Sequence, residues 1–431
     1  MNPKFFAGLA IVGVAAAIPA YADVTVDITG STAFRSATLA SIKARFDASG
    51  QPYQYSHDKA AGAYATSNRA IFKGTFPGVS GITTIRTSFS GSVEGIRALV
   101  NSPTFDVQYY SNISGNFVTA AAVGGGETNT NTVGFAKTLE LAQAEIAFSD
   151  VSKNSTPYSG FSLQPADAAC GVVVFTMITN EGSTVTNVTS QQFRALMSSG
   201  MQPLSLFTGN AADESFVFST GRNDGSGTRT TYLAESGYGI TTPVKQFVTN
   251  ASTSTALSTI QLVPAGGGSI PANASTVWGQ DVDGNGGYNS GGTLSTDMGK
   301  TGASVTVLDE TGADIFGSPV HADLVTFLSL SDAVNARNNG AVFCSYNGVK
   351  LDDIAASGSA MSAADKAKVT NGLYTAWGYQ QMYRRNDITS GDVVTVYNGI
   401  RNAIPANLGA AGIAIADMAV GREVDGGTVA P

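Results

Sequence analysis

From Asp23 the chain alternates Val24, Val26 and Ile28 with polar residues, the period of a strand, and then turns at Thr29-Gly30-Ser31-Thr32. A helical spacing follows, marked by Phe34, Leu39, Ile42 and Phe46. The same order recurs: Ile82 to Ser88 predicts a strand, and Ser90-Gly91-Ser92 opens a helix carrying Ile96, Leu99 and Val100. Glu145 to Phe148 predicts a short strand ending at Ser149-Asp150, and Gly171 to Met177 a buried one. Beyond it, helices over Ser190 to Ser199 and Thr228 to Ser236 and strands over Ser215 to Phe218 and Val305 to Leu308 make a second unit. Ala341 to Tyr346 predicts another buried strand, followed by helices over Leu373 to Arg385 and Val393 to Ala403. The stretch from Asn101 to Thr138, rich in Gly, Asn, Thr and Ala, predicts a surface excursion. Strands alternating with helices give an α/β fold class.

The sharpest chemistry lies at one of these junctions, Thr220-Gly221-Arg222-Asn223-Asp224-Gly225-Ser226-Gly227-Thr228-Arg229. A Gly/Ser turn between strand and helix leaves backbone N–H groups uncovered at the positive end of the helix, a natural seat for an oxyanion. Ser226 and Thr228 add hydroxyl donors, and the planar guanidinium of Arg222 can grip two oxygens at once. Read blandly, the same turn is a surface loop with a capping residue. The turns at Ser31-Thr32 and Ser90-Ser92 are further candidate seats, and Asp150 stands at a strand's C-terminal end, where open α/β sheets place ligand groups. Glu94, close to the second turn, has the ordinary role of a first-turn carboxylate.

Composition narrows the class. A basic start, an apolar run from Phe5 to Ala20 and the exit Ala20-Tyr21-Ala22 describe a secretory leader over residues 1–22, with no cysteine following it to carry a lipid. The expected location is therefore periplasmic or secreted. Hydrophobic residues make up 43% of the 431, enough for a full core, and only 13% are charged. A formal net charge of -8 argues against a nucleic-acid surface, so an anion must be held by local donors. Cys170 and Cys344 fit one disulfide in an oxidising compartment or two buried thiols. His57, amid Gln, Tyr and Asp, reads as a surface residue. Asp281-Val282-Asp283-Gly284-Asn285-Gly286 begins like a calcium loop but has Gly292 where its bidentate Glu belongs. Gly299-Lys300-Thr301 ends like a nucleotide loop but has Leu294 at the required glycine. No hydrolytic triad is legible, and no enzyme activity, metal or cofactor is expected.

Together the four motifs resemble the phosphate-binding-protein family that serves ABC transporters. Arg222, Ser226, Gly227 and Thr228 match that family's anion-holding loop, with Asp224 matching a carboxylate that orients the arginine. Ser90-Gly91-Ser92 is similar to its second turn, with Ser92 as the contact, and Ile146 to Asp150 to the strand delivering its aspartate. In Thr29 to Phe34, Phe34 aligns while the usual threonine falls on Ala33, leaving Thr32 or Ser31 for the contact. Gly286 to Gly292 and Leu373 to Trp377 sit where the family carries comparable segments. The resemblance implies a two-lobe type II periplasmic-binding-protein fold with a hinge and an interlobe cleft. Residues 23–169 with 345–431 would form lobe one and 170–344 lobe two, with any Cys170–Cys344 bond tying the hinge. It further implies a monomer that binds inorganic phosphate or a close tetrahedral oxyanion and hands it to a permease. Asp150 then selects an anion that carries a proton to donate. The competing reading is an extracellular binding or structural protein that keeps the scaffold without phosphate transport.

Overall fold

The computed structural model describes residues 22–101, 104–117, 122–128, 138–263, 277–278, 286–351, 361–409 and 412–431. The leader lies outside them but for Ala22, as does Asp281 to Asn285 of the calcium-like loop.

The stretch expected to form lobe one begins with β1 (Val24–Gly30), α1 (Arg35–Asp47), β2 (Tyr53–His57), β3 (Arg69–Thr75), β4 (Ile82–Phe89) and α2 (Ser92–Val100). The short strands β5 (Gly126–Thr128) and β6 (Ile146–Ser149) follow. The long strand β7 (Ala169–Thr179) leads to the stretch expected to form lobe two: α3 (Ser190–Ser199), β8 (Met201–Pro203), β9 (Phe216–Ser219), α4 (Gly227–Glu235), β10 (Ala322–Ser329), α5 (Leu330–Asn338) and β11 (Val342–Tyr346). The chain returns to lobe one in β12 (Trp377–Arg385) and α6 (Asp392–Asn407).

One sheet runs through both lobes in the order β8-β9-β10-β7-β12-β6-β1-β4-β3-β2-β5. β1 lies parallel to both β4 and β6, so three neighbouring strands end at the same edge. β7 changes partners along its length: Val172, Val173 and Val174 pair with β12, while Phe175 to Thr179 pair with β10. Exchange of partners thus falls between Val174 and Phe175, and β11 remains paired to β7 through Cys344. The apolar run of β7 is buried because neighbours cover both of its faces, each such side chain contributing about 1.5–3 kcal/mol. Its core joins Phe34, Leu39 and Trp377 of lobe one to Phe193, Val217 and Phe327 of lobe two.

Three expectations are corrected. Trp377–Arg385, read as part of a helix, is a strand between β7 and β6. Its fully buried Gln380 breaks the hydrophobic pattern that would have identified it. His57 is fully buried; its Nε2 lies 2.6 Å from Glu127 Oε1, and its ring stacks on Tyr55. That contact also shows that part of the excursion, β5, is an edge strand of the main sheet.

The cysteines are two buried free thiols. Cys170 starts β7, whereas Cys344 pairs with Met177 farther along it. That distance along a strand is roughly 23 Å, and a disulfide needs Cα atoms within about 7 Å. Burial pushes each thiol up to about 12, so neither is a ready nucleophile. Unreduced protein is expected to release two reactive thiols on denaturation and none beforehand; a mass gain of two protons on reduction would contradict this.

Candidate functional site

The parallel arrangement of β1, β4 and β6 gathers three of the expected motifs at one edge. At the end of β1, Gly30 adopts φ +113, and a Cβ there would enter the Phe148 carbonyl, so the turn needs glycine. Ser31 and Thr32 follow, both buried. β4 delivers Ser92 as the first residue of α2, and β6 delivers Asp150. From lobe two, β9 leads through Arg222 into α4, where Ser226 is the N-cap, its Oγ accepting from the Arg229 amide at 3.4 Å.

The two sets meet directly. Ser92 Oγ donates to Asp150 Oδ1 and accepts from the Asp150 amide at 3.1 Å. Thr228 Oγ1, from the other lobe, donates to Asp150 Oδ2 at 3.4 Å. Arg222 Nη1 donates to Thr32 Oγ1 at 3.2 Å. Gly227 stands between: a Cβ there would be driven into the Asp150 carboxylate and lie 2.6 Å from the Ser92 side chain. Thus Thr32, Ser92, Asp150, Arg222, Gly227 and Thr228 converge. Ser31 Oγ is buried beside them without a hydrogen-bond partner. Phe34 contributes an apolar wall stacked on Phe148, with ring centres 6.2 Å apart, and Ser90 is exposed at the rim.

Arg222 is only 4% exposed and is fixed by backbone: Nε donates to the Tyr288 carbonyl and Nη2 to that of Asn289, both at 3.0 Å. Burial brings its guanidinium down to about 10, still cationic at neutral pH, and the nearby carboxylates of Asp332 and Asp150 oppose that fall. Asp332 therefore occupies the place expected of Asp224 as the arginine's carboxylate neighbour. Asp332 also lies 3.9 Å from Arg35 of lobe one, an ion pair across the cleft. Asp224 stands instead beside Glu94, Arg97 and Arg229. Burial raises the Asp150 carboxyl above its ordinary range; Ser92, a backbone amide and Arg222 pull it back only in part.

The Gly286 to Gly292 segment was visible in the sequence, but its carbonyl grip on Arg222 was not, since any residue supplies a carbonyl. The Arg35–Asp332 pair carried no local signal either, its partners being far apart in the chain. Chemically, the site offers one buried acceptor that is a carboxylate and a set of hydroxyl and guanidinium donors facing it. Among the described residues the two histidines lie elsewhere, His57 on Glu127 and His321 3.5 Å from Asp323.

No protein-family model matches the chain, and no curated protein matches it. Among solved structures, it is similar to an ABC-type phosphate transport receptor from Vibrio cholerae at 10% identity, covering 89% of this chain and 96% of that one, with a TM-score of 0.41. A phosphate ABC transporter substrate-binding protein with bound phosphate from Clostridium perfringens matches at 12% identity over 91% of this chain and 100% of its own, also at 0.41. A phosphate binding protein from Stenotrophomonas maltophilia matches at 12% over 89% and 84%, at 0.32.

Proposed function

We propose that this chain is an exported solute-binding protein whose interlobe site takes phosphate or a close tetrahedral oxyanion for delivery to an ABC permease. The observation that carries the reading is the buried carboxylate of Asp150 set among Ser92, Thr228 and Arg222. Donors on both lobes suit an anion's oxygens, while a carboxylate in their midst suits only an anion that brings a proton. Hydrogen phosphate has both features and sulfate lacks the second. The chain acts as a monomer in the periplasm or outside the cell, and it binds its ligand without turning it over.

Calorimetric titration of the mature chain, stripped of ligand by unfolding and refolding, tests this. One phosphate is expected to bind tightly and sulfate not at all. Asp150→Asn, which replaces one acceptor oxygen by an amide donor, is expected to weaken phosphate about 100-fold, the scale of a lost charge-assisted hydrogen bond, and to admit sulfate. Absence of both anions from a protein with a cooperative unfolding transition would sink the proposal.

A further inference from the structure

The lobes also touch where no anion would sit. The amides of Val93 and Glu94, in the first turn of α2, donate to the Gly225 carbonyl of lobe two at 3.1 and 3.4 Å. These bonds tie the first turn of α2 to the turn that precedes α4. They press Gly225 against Glu94 so closely that a Cβ on the glycine would lie 2.6 Å from Glu94 Cγ. The preceding residue is Asp224, whose Oδ1 is buried without a hydrogen-bond partner. Glu94 and Asp224, both half-buried, thus line one groove at this contact.

We propose that Glu94 and Asp224 form a proton-operated latch: a proton on the pair lets the lobes close, and its loss drives them apart. Several charged or titratable groups face the pair. Arg97 lies farther along α2, Arg229 on α4 and Tyr158 in the segment after β6, while Arg69 and Asp106 line the groove on the other flank of Glu94. The cations only moderate the effect. Arg97 stacks 4.3 Å over the Phe105 ring, and Arg229 donates to the carbonyls of Arg222 and Gly286 at 3.4 Å each. Burial raises both carboxyls; for Glu94, Arg97 opposes the rise and the charge of Asp224 adds to it. Separating the lobes returns both groups to water and towards their ordinary values. The closed form therefore holds the proton more tightly than the open form, and closure weakens as pH rises through the closed-form value.

The inference deepens the oxyanion reading and is tested apart from it. Phosphate affinity is measured for the native chain and Glu94→Gln from pH 5 to 8. The ligand's own titration cancels in the ratio of the two dissociation constants. That ratio is expected to stand near unity at pH 5 and to favour the variant about ten-fold at pH 8, with Asp224→Asn showing the same rise. In parallel, small-angle scattering without phosphate is expected to show the native chain expanding over this range and Glu94→Gln keeping its radius. A flat affinity ratio overturns the latch. If phosphate binds neither protein, the transport reading falls, and scattering alone decides: equal radii at every pH overturn the latch, and expansion confined to the native chain supports it.

Discussion

Arg222→Met is expected to abolish measurable phosphate binding and to lower stability together. Arg222 is the cation of lobe two that reaches lobe one at the site, through Thr32. Methionine fills much of the arginine's volume but gives nothing to the Tyr288 and Asn289 carbonyls that the guanidinium now satisfies. The Tyr288 carbonyl keeps the Asn223 amide at 3.1 Å, but the Asn289 carbonyl loses its guanidinium donor, so denaturant unfolding should show a loss of about 1–3 kcal/mol. The loss of a desolvated charge grip should weaken the anion by at least about 100-fold, in the range found for truncating one partner of a buried charged contact. It also removes the cation that opposes the rise of the Asp150 carboxyl, which goes up further. A variant that kept phosphate affinity within about three-fold would remove Arg222 from the site.

Gly227→Ala should separate the two effects. Gly227 is the first residue of α4 and does not have a positive φ, so alanine strains no backbone and gains up to about 1 kcal/mol of helix preference. The atoms its methyl group would meet first belong to Asp150 and Ser92. Each lobe should fold with thermal stability unchanged or slightly raised, while affinity falls about 100-fold because the binding arrangement can no longer close. Native affinity in this variant would show that the lobes do not approach at Gly227 when the anion is held.

What the sequence disclosed of the site was its local chemistry. Arg222, Ser226 and Thr228 share one strand–turn–helix junction, and residue type with short spacing was enough to mark them. Asp150 was legible because it ends an apolar strand. What stayed hidden depends on distant chain segments. The neighbour of Arg222 is Asp332, 110 positions on, whereas proximity in sequence pointed to Asp224. His57 looked exposed because its neighbours are polar, yet Glu127, on the far side of a Gly-rich stretch, turns it into a sheet-edge contact. The strand over Trp377–Arg385 was masked because tertiary pairing on both sides, and not its own alternation, determines it. The cysteines were misleading in a different way: both lie near the lobe junction, but at different levels along one strand.

β7 gives the molecule a mechanical unity that a two-lobed outline conceals. Its first half is hydrogen-bonded into one lobe and its second half into the other, with no slack between them. Neither lobe can be excised without leaving a long apolar strand with an open edge, a template for aggregation. The polypeptide is therefore expected to unfold in a single cooperative transition. Any opening of the cleft is stored as torsion in this shared strand, which acts as a spring returning the lobes to register.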